Sequence, residues 1–457
     1  SMKAIGIAVL LWCPTAVALA VGQVHEFKLD NGMQVLVKED HRAPVVVSQV
    51  WYKVGSSYEP SGLTGISHVL EHMMFKGTNK HGPGEFSRII SENGGEDNAF
   101  TGRDYTAYYQ HLATDRLEVA FELEADRMRN LRLQEDEFVK ERAVVQEERR
   151  MRTEDKPQSL TSEQFAAAAY RASPYRNPVI GWMSDLEALK LVDLQSWYRR
   201  WYAPNNASLV VVGDVDPQQV LALAQKHFGP LKAEQLSPPK PQKEPRQLGI
   251  TRLQVKAPAR QPYLVLGYKT PVLAGATEDW EPYALEMLAA ILDGGSSARL
   301  SRDLVRGERI AADADADYSA YTRLPGMLTL DGVPTPGHDI ADLETALRAE
   351  IEKLRTERVD EEELARVRAQ VVAGKIFERD SMHYQALQIG LLETIGLDWR
   401  MADTHVERLK QVSAEQVRQV AQKYLIDDHL TVAELVPLPL ETNEQMSHNG
   451  EEPTYVN

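Results

Sequence analysis

The chain has 457 residues, of which 43% are hydrophobic and 26% are charged. This is the composition of a globular protein and excludes a disordered chain, while the length predicts about two to four domains. The formal net charge of -16 disfavours a nucleic-acid-binding surface, which neutralises phosphates with an excess of basic residues.

The N-terminal segment has the pattern of a secretory signal peptide. Lys3 is followed by an apolar run from Ala4 to Trp12 and then by Ala18-Leu19-Ala20, a small-x-small cleavage pattern. The apolar run is too short to span a bilayer comfortably. The single cysteine, Cys13, lies inside this segment, and an exported chain without disulfides suits a bacterial periplasm. We therefore predict a signal peptide over 1–20 and a periplasmic mature protein without a membrane segment; an apolar N-terminal strand is the alternative.

The mature chain begins with predicted strands. Val24 to Lys38 is a hairpin candidate because Asp30-Asn31-Gly32 separates two alternating runs, and Asn-Gly is a strong hairpin signal. Pro44 to Val54 predicts a third, more continuously apolar strand. A helix is then predicted from near Thr64 to Gly77.

This predicted helix contains His68, Glu71 and His72, which stand at i, i+3 and i+4 and so share one helix face. Two imidazoles one turn apart can hold a zinc ion, and a carboxylate on the same face can reach a water bound to it. The pattern H-x-x-E-H is the inverse of the zinc-peptidase signature H-E-x-x-H. A solvated helix face with two surface histidines is the alternative.

Two later segments bear on the same site. A predicted helix from Pro83 to Asn93 leads through glycines into a strand that contains Asn98-Ala99-Phe100-Thr101. A long charged helix is predicted from Gln134 to Thr153, where Glu141 and Glu148 share a face because they are seven residues apart. Catalytic zinc usually takes three protein ligands, so a carboxylate would complete a set with the two histidines. A solvated charged face is the alternative for this helix.

The second half of the chain is predicted to repeat the first in degenerate form. Residues 236–245 are proline-rich, charged and without periodicity, which marks a domain boundary. We predict an α+β fold of two homologous domains, each with a mixed or antiparallel sheet packed with helices. The zinc-binding domain covers 24–235, the linker 236–248, the metal-free domain 249–441 and a polar tail 442–457.

Three motifs together resemble the pitrilysin or insulinase-type zinc peptidases, the inverzincins, which include the mitochondrial processing peptidases. The resemblance extends from about Phe27 to Val436. The motifs are His68-Val69-Leu70-Glu71-His72-Met73-Met74-Phe75-Lys76-Gly77-Thr78, Gly94-Gly95-x-x-Asn98-Ala99-x-Thr101 and Glu141-Arg142-x-Val144-Val145-x-x-Glu148.

The resemblance implies a role for each motif residue. One zinc ion per chain would be held by His68, His72 and Glu148, with Glu141 supporting the metal helix from behind. Glu71 would act as the base that takes a proton from the attacking water.

The resemblance also implies a mode of substrate binding. Family members hold the peptide substrate as an added strand on a sheet edge beside the metal. Asn98, Ala99 and Phe100 match that edge.

The family also uses an Arg and a Tyr seven residues later, both from the metal-free domain, to contact the substrate carbonyl. Arg306 matches the Arg, but the Tyr position holds Asp313, which cannot donate a hydrogen bond while ionised. Asp313, Asp315 and Asp317 would share one face of a strand.

Related two-domain chains form clam-shell dimers that enclose a chamber. The resemblance and the departure at Asp313 therefore predict a periplasmic zinc metalloendopeptidase that hydrolyses peptides or unfolded segments in such a chamber. This chain would be the zinc subunit of a heterodimer, and a homologous subunit would supply the Arg-Tyr pair. A homodimer that recruits Tyr318 is one alternative, and a non-catalytic assembly or scaffold subunit is another.

Overall fold

The computed structural model of the chain describes residues 22–440. The predicted signal peptide and the whole predicted tail lie outside this range. The strands of the first half are β1 (Val24–Lys28), β2 (Gln34–Glu39), β3 (Val45–Tyr52), β4 (Glu96–Thr101), β5 (Thr106–Ala113) and β6 (Ala207–Gly213). Its helices are α1 (Ile66–Met73), α2 (Glu85–Glu92), α3 (Leu117–Asn130), α4 (Glu135–Arg149), α5 (Pro157–Ala169), α6 (Met183–Ala188), α7 (Leu191–Trp201) and α8 (Pro217–His227).

The second half contains fewer strands and longer helices. Its strands are β7 (Thr251–Pro258), β8 (Tyr263–Thr270), β9 (Ala311–Asp317), β10 (Gly326–Pro334) and β11 (Leu430–Leu438). Its helices are α9 (Trp280–Leu292), α10 (Ile340–Thr356), α11 (Glu361–Glu378), α12 (Met382–Thr394), α13 (Met401–Lys410) and α14 (Ala414–Tyr424). One π-helical segment, Arg150–Glu154, follows α4, and another, Leu300–Gly307, precedes β9.

The two sheets have the same topology, which confirms the predicted α+β fold of two related halves. The first sheet has the order β1-β2-β6-β3-β5-β4 and the second the order β7-β11-β8-β10-β9. In each sheet one parallel pair, β2 with β6 or β7 with β11, is followed by three antiparallel pairs. The second sheet therefore matches the first without β1. Among residues 22–440, no helix has both the length and the apolar content needed to cross a membrane.

The predicted hairpin and metal-motif helix are both present. Strands β1 and β2 pair antiparallel across the Asn31-Gly32 turn, where Gly32 has φ of 89°. Helix α1 is shorter than the predicted 64–77. The chain enters it at Gly65 with φ of 88° and reaches φ of 102° at Gly77, and these left-handed conformations interrupt a helix.

Each sheet is covered on one face by a helix from the other half of the chain. Helix α5, which precedes the 236–248 segment, packs on β7, β8 and β11 of the second sheet. Helix α12 packs on β3 and β6 of the first sheet. The two halves thus have separate sheets, but each half completes the other's core.

The contacts under these exchanged helices are close. Phe165 of α5 lies against Gly267 of β8, where an added Cβ would stand 2.5 Å from the ring. In the first sheet the glycine is on the helix instead: a Cβ on Gly390 of α12 would lie 2.1 Å from the indole nitrogen of Trp51. Trp51 is 1% exposed, so its ring has no free space to move into.

A buried polar cluster joins the halves at a second place. Asp104, which is 3% exposed, accepts hydrogen bonds from Ser57 Oγ at 2.8 Å, the Tyr175 hydroxyl at 2.5 Å and the backbone N–H of Arg323 at 2.9 Å. The Arg323 guanidinium also donates to Ser57 and lies over the Tyr58 ring. This cluster fixes the segment that leads into β10 of the second half against the first half.

The exchanged helix gives a stability prediction. We expect Gly390→Ala to lower the free energy of unfolding by about 1–3 kcal/mol, because the new methyl group overlaps the Trp51 ring. Urea denaturation followed by circular dichroism measures this change. Gly374→Ala is the matched control, because Gly374 lies within α11 with no atom near its added Cβ. This substitution should raise the free energy of unfolding by about 0.5–1 kcal/mol, since alanine has the higher helix propensity. Equal effects of the two substitutions would contradict the close contact.

Candidate metal centre

The orientation of helix α1 follows from its apolar face. Ile66, Val69, Leu70 and Met73 are buried in the core, so His68, Glu71 and His72 lie on the other side. The helix N-terminus has no side-chain cap of its own. The buried carboxylate of Glu59 accepts hydrogen bonds from the backbone N–H groups of Gly65 at 2.9 Å and Ser67 at 2.8 Å. These bonds hold the start of the metal-motif helix.

The side chains of His68, His72 and Glu148 converge between α1 and α4. The Nε2 atom of His68 lies 3.8 Å from Glu148 Oε1, and the Nε2 atom of His72 lies 3.5 Å from Glu148 Oε2. One ligand atom from each residue lies within 4.8 Å of the other two. Tetrahedral zinc with bonds of about 2.0–2.2 Å places its ligand atoms roughly 3.3–3.6 Å apart, so the three residues fit this metal after small side-chain adjustments.

His68 is in the form that a metal needs. Burial lowers the pKa of His68 to about 3, and the neighbouring His72 adds to this effect, so the imidazole is neutral. Its Nδ1 atom is buried and has no hydrogen-bond partner among residues 22–440. Neutral imidazole nitrogens and a carboxylate form a donor set typical of zinc.

Glu141 supports His72 from behind. Its Oε2 atom lies 3.1 Å from His72 Nδ1, and its Oε1 atom lies 2.8 Å from the Lys76 ammonium. Because an ionised carboxylate only accepts hydrogen bonds, His72 Nδ1 carries the proton and Nε2 is left free towards Glu148. This is the carboxylate–histidine arrangement that orients metal ligands.

Glu71 is not part of the three-residue group. Its carboxylate accepts a hydrogen bond from the Thr101 hydroxyl on β4. Burial raises the pKa of Glu71, although the Thr101 hydrogen bond and the charge of His72 oppose the shift. A carboxylate with a raised pKa beside a metal group is suited to accept and release a proton.

Strand β4 is the edge strand of the first sheet. Asn98 on this strand is exposed, and its side-chain oxygen accepts a hydrogen bond from the backbone N–H of Ala99 at 2.8 Å. This N–H therefore points away from β5, towards the open edge. Asn98 and Phe100 face the side of the sheet covered by α12, whereas Ala99 and Thr101 face α1.

The second half supplies no equivalent group of ligands within residues 22–440. Arg306 is exposed near the end of the π-helical segment Leu300–Gly307. Asp313, Asp315 and Asp317 lie on one face of β9, which is the edge strand of the second sheet. Tyr318 is 8% exposed, and its hydroxyl donates to the carbonyl of Pro271 at 2.7 Å. It would have to leave this site to contact a substrate.

Three contacts of this centre were not expected from the sequence. Lys76 lies four residues after His72, so helical spacing could have indicated its place beside Glu141. Thr101 belongs to a motif already singled out, but its bond to Glu71 crosses from a strand to a helix. No local sequence pattern indicates that Glu59 contacts the start of α1, because an irregular segment separates the two.

Comparison with known proteins identifies both halves. Residues 34–182 match the sequence profile described as insulinase (peptidase family M16), and residues 188–371 match that of the peptidase M16 inactive domain. The zinc protease PqqE of Helicobacter pylori is 36% identical over 344 residues, which are 74% of this chain and 76% of that protein.

Solved structures share the fold. A protease from Helicobacter pylori superposes with a TM-score of 0.87 at 31% identity, covering 91% of this chain and 100% of that one. The periplasmic protease PqqL from Escherichia coli has a TM-score of 0.76 at 19% identity, covering 95% of this chain and 51% of that one. The second likeness concerns the fold alone.

The ligand group gives a prediction for metal content. Glu148→Gln should remove bound zinc, because a neutral amide replaces the carboxylate ligand, whereas Glu147→Gln should retain it because Glu147 is exposed and pairs with Arg150. Metal analysis of dialysed protein measures zinc per chain. If only the Glu147 variant lost its zinc, the assignment of Glu148 as the ligand would be wrong.

Proposed function

We infer from this chain's membership of the M16 (insulinase) peptidase family of zinc proteases that it is an exported endopeptidase with one zinc ion per chain. The observation that carries the proposal is the convergence of His68, His72 and Glu148 within 4.8 Å, with Glu71 beside them but outside the group. These three residues would hold the metal, and Glu71 is the base. The family membership itself confirms the resemblance seen in the three sequence motifs.

The chain's own residues divide the chemistry among them. Zinc, when bound, lowers the pKa of a water ligand towards about 7 and polarises a scissile carbonyl. Glu71 takes the proton of the attacking water on its carboxylate and later passes it to the leaving amine. Thr101 orients Glu71 for this role, and Glu141 keeps His72 in the tautomer that binds the metal.

The substrate is a peptide or an unfolded segment that adds to the first sheet beside β4. Its backbone pairs with the open edge at Ala99, and the Asn98 side chain, which occupies that N–H in the free chain, moves to bind the substrate instead. Phe100 offers an apolar contact on the α12 side of the edge. Main-chain pairing of this kind accepts many sequences, which suits an enzyme for unfolded segments.

The proposed location is the bacterial periplasm. The support is the signal-peptide pattern of residues 1–20, and the periplasmic protease PqqL provides a precedent for this fold in that compartment. In the mature form we expect no membrane attachment.

A homologous subunit is the proposed partner. Arg306 is exposed and available, but Asp313 stands where the family has a tyrosine, and Tyr318 is buried with its hydroxyl bonded to Pro271. A second chain of the same family that carries the Arg-Tyr pair would complete the site in a clam-shell heterodimer around a chamber. A homodimer that uses Tyr318 requires a rearrangement of this region.

Substitution of Glu71 tests its role as base. Glu71→Gln should keep zinc and lower kcat by about 10²–10⁴-fold, because glutamine still accepts the Thr101 hydrogen bond but cannot take a proton. Cleavage of a quenched fluorescent peptide together with metal analysis measures both quantities. Undiminished cleavage by a zinc-loaded Glu71→Gln variant would remove Glu71 from this role.

Dependence on concentration tests the partner. The mature chain alone, assayed at several concentrations with its zinc content known, should contain zinc and cleave poorly, since the tyrosine contact to the substrate is absent. Adding a homologous subunit with an intact Arg-Tyr pair should restore cleavage. Cleavage that rises steeply with the concentration of this chain alone would contradict the heterodimer and support a homodimer. A chain that neither binds zinc nor cleaves with any partner would favour a scaffold subunit.

A further inference from the structure

A second cavity lies at the joint between the two halves, apart from the metal centre. Its volume is about 180 Å³. The first half contributes Val24 and Lys38 from β1 and β2. The second half contributes residues from the end of α11 and from α12 and α13, together with Tyr321 and Trp399 from connecting segments. We call this cavity the joint pocket.

Lys38 is the unusual residue of the joint pocket. It is 8% exposed because α12 and α13 cover the face of β2 on which it stands. Within residues 22–440 its ammonium has neither a hydrogen bond nor a salt bridge to a side chain. Burial lowers the pKa of Lys38, and the charge of Asp403 opposes the shift only from a distance. Lys38 lines the cavity without a counter-charge in contact, and an anion bound there would stabilise its ammonium.

The nearby carboxylate of Asp40 is already paired. It accepts hydrogen bonds from the Arg42 guanidinium, at 2.6 Å and 2.8 Å, and from Gln385 Nε2 at 3.2 Å. On the opposite wall, Lys375 lies 3.7 Å from Glu378. Arg379 also has no salt bridge among residues 22–440, but it is exposed, so Lys38 is the largely buried cation of the pocket with no counter-charge in contact.

The residues that line the joint pocket indicate the charge of an anion that could pair with Lys38. Three cationic side chains (Lys38, Lys375 and Arg379) stand against two carboxylates (Glu378 and Asp403), so the pocket has one net positive charge. This balance suits an anion with one negative charge better than phosphate, which carries more. Val24, Ile389 and the ring of Trp399 supply apolar surface for an organic body.

We propose that the joint pocket binds a small organic carboxylate, whose carboxylate group pairs with the ammonium of Lys38 and whose apolar body lies against Trp399. The ligand contacts β2 of the first half and α11 to α13 of the second half. Its binding therefore stabilises the joint at which α12 packs on the first sheet, without contact to the metal ligands.

Three probes test the charge that the pocket recognises in the intact mature chain: 3-phenylpropanoate, its neutral amide 3-phenylpropanamide, and inorganic phosphate. Calorimetric titration and the thermal midpoint Tm are the measurements. The acid should bind at one site and raise Tm, and the amide should bind at least about tenfold more weakly, because it lacks the charge that pairs with Lys38. Equal binding of acid and amide, preference for phosphate, or no binding at millimolar concentration would each overturn the proposal.

Two variants locate the binding. Lys38→Met should weaken binding of the acid at least about tenfold and raise the Tm of the ligand-free protein, since a buried apolar side chain replaces an unpaired charge. Lys28→Met is the matched control: Lys28 is exposed on the adjacent strand β1, so binding should be unchanged. Acid binding that survives Lys38→Met would place the ligand elsewhere. The acid–amide comparison in the unmodified chain decides the question if Lys38→Met fails to fold.

Discussion

Each half of this chain lacks a helix that its own sheet needs and receives it from the other half. Helix α5 covers the second sheet and α12 covers the first, and both contacts depend on a glycine that lets an aromatic ring approach the backbone. Since each exchanged helix buries an apolar sheet face, neither half can complete its core alone. The two halves therefore form one cooperative structure although they are related as a repeat.

The metal centre is connected to this exchange. Helix α4 carries Glu148 and ends at Arg149, whose buried guanidinium makes a double hydrogen bond to Glu163 of α5, at 2.7 Å and 2.8 Å. Glu148, the proposed third ligand, is thus held next to a helix that packs on the second sheet. The two candidate histidine ligands are positioned from the other side, through the Glu59 carboxylate at the start of α1. The distance between the two ligand groups consequently depends on how the halves are joined.

The two edge strands show how the halves have diverged. Strands β4 and β9 occupy the same place in their sheets, but β4 carries Asn98 to Thr101 beside the metal motif, whereas β9 carries a row of aspartates. Asp315 and Asp331 face each other across β9 and β10, and burial raises the pKa of Asp331 to about 6. Two carboxylates this close disfavour each other's charge. In the part of the chain that the structure describes, the second half has the topology of the first without an equivalent group of candidate ligands.

The sequence by itself determined what depends on short-range spacing. His68, Glu71 and His72 share a face because a helix repeats every 3.6 residues, and the β1–β2 hairpin follows from its Asn-Gly turn. The repeat of two α+β halves was predictable as well, because strand and helix patterns recur in order.

Only the tertiary structure decided where these elements meet. Helix α12 was not predicted, since its apolar residues do not form a single stripe when it is buried between a sheet and other helices. Lys38 looks like a surface residue in its strand until α12 and α13 cover it. The bonds from Thr101 to Glu71 and from Glu59 to α1 join distant or irregular segments, and local sequence patterns carry no information about such approaches.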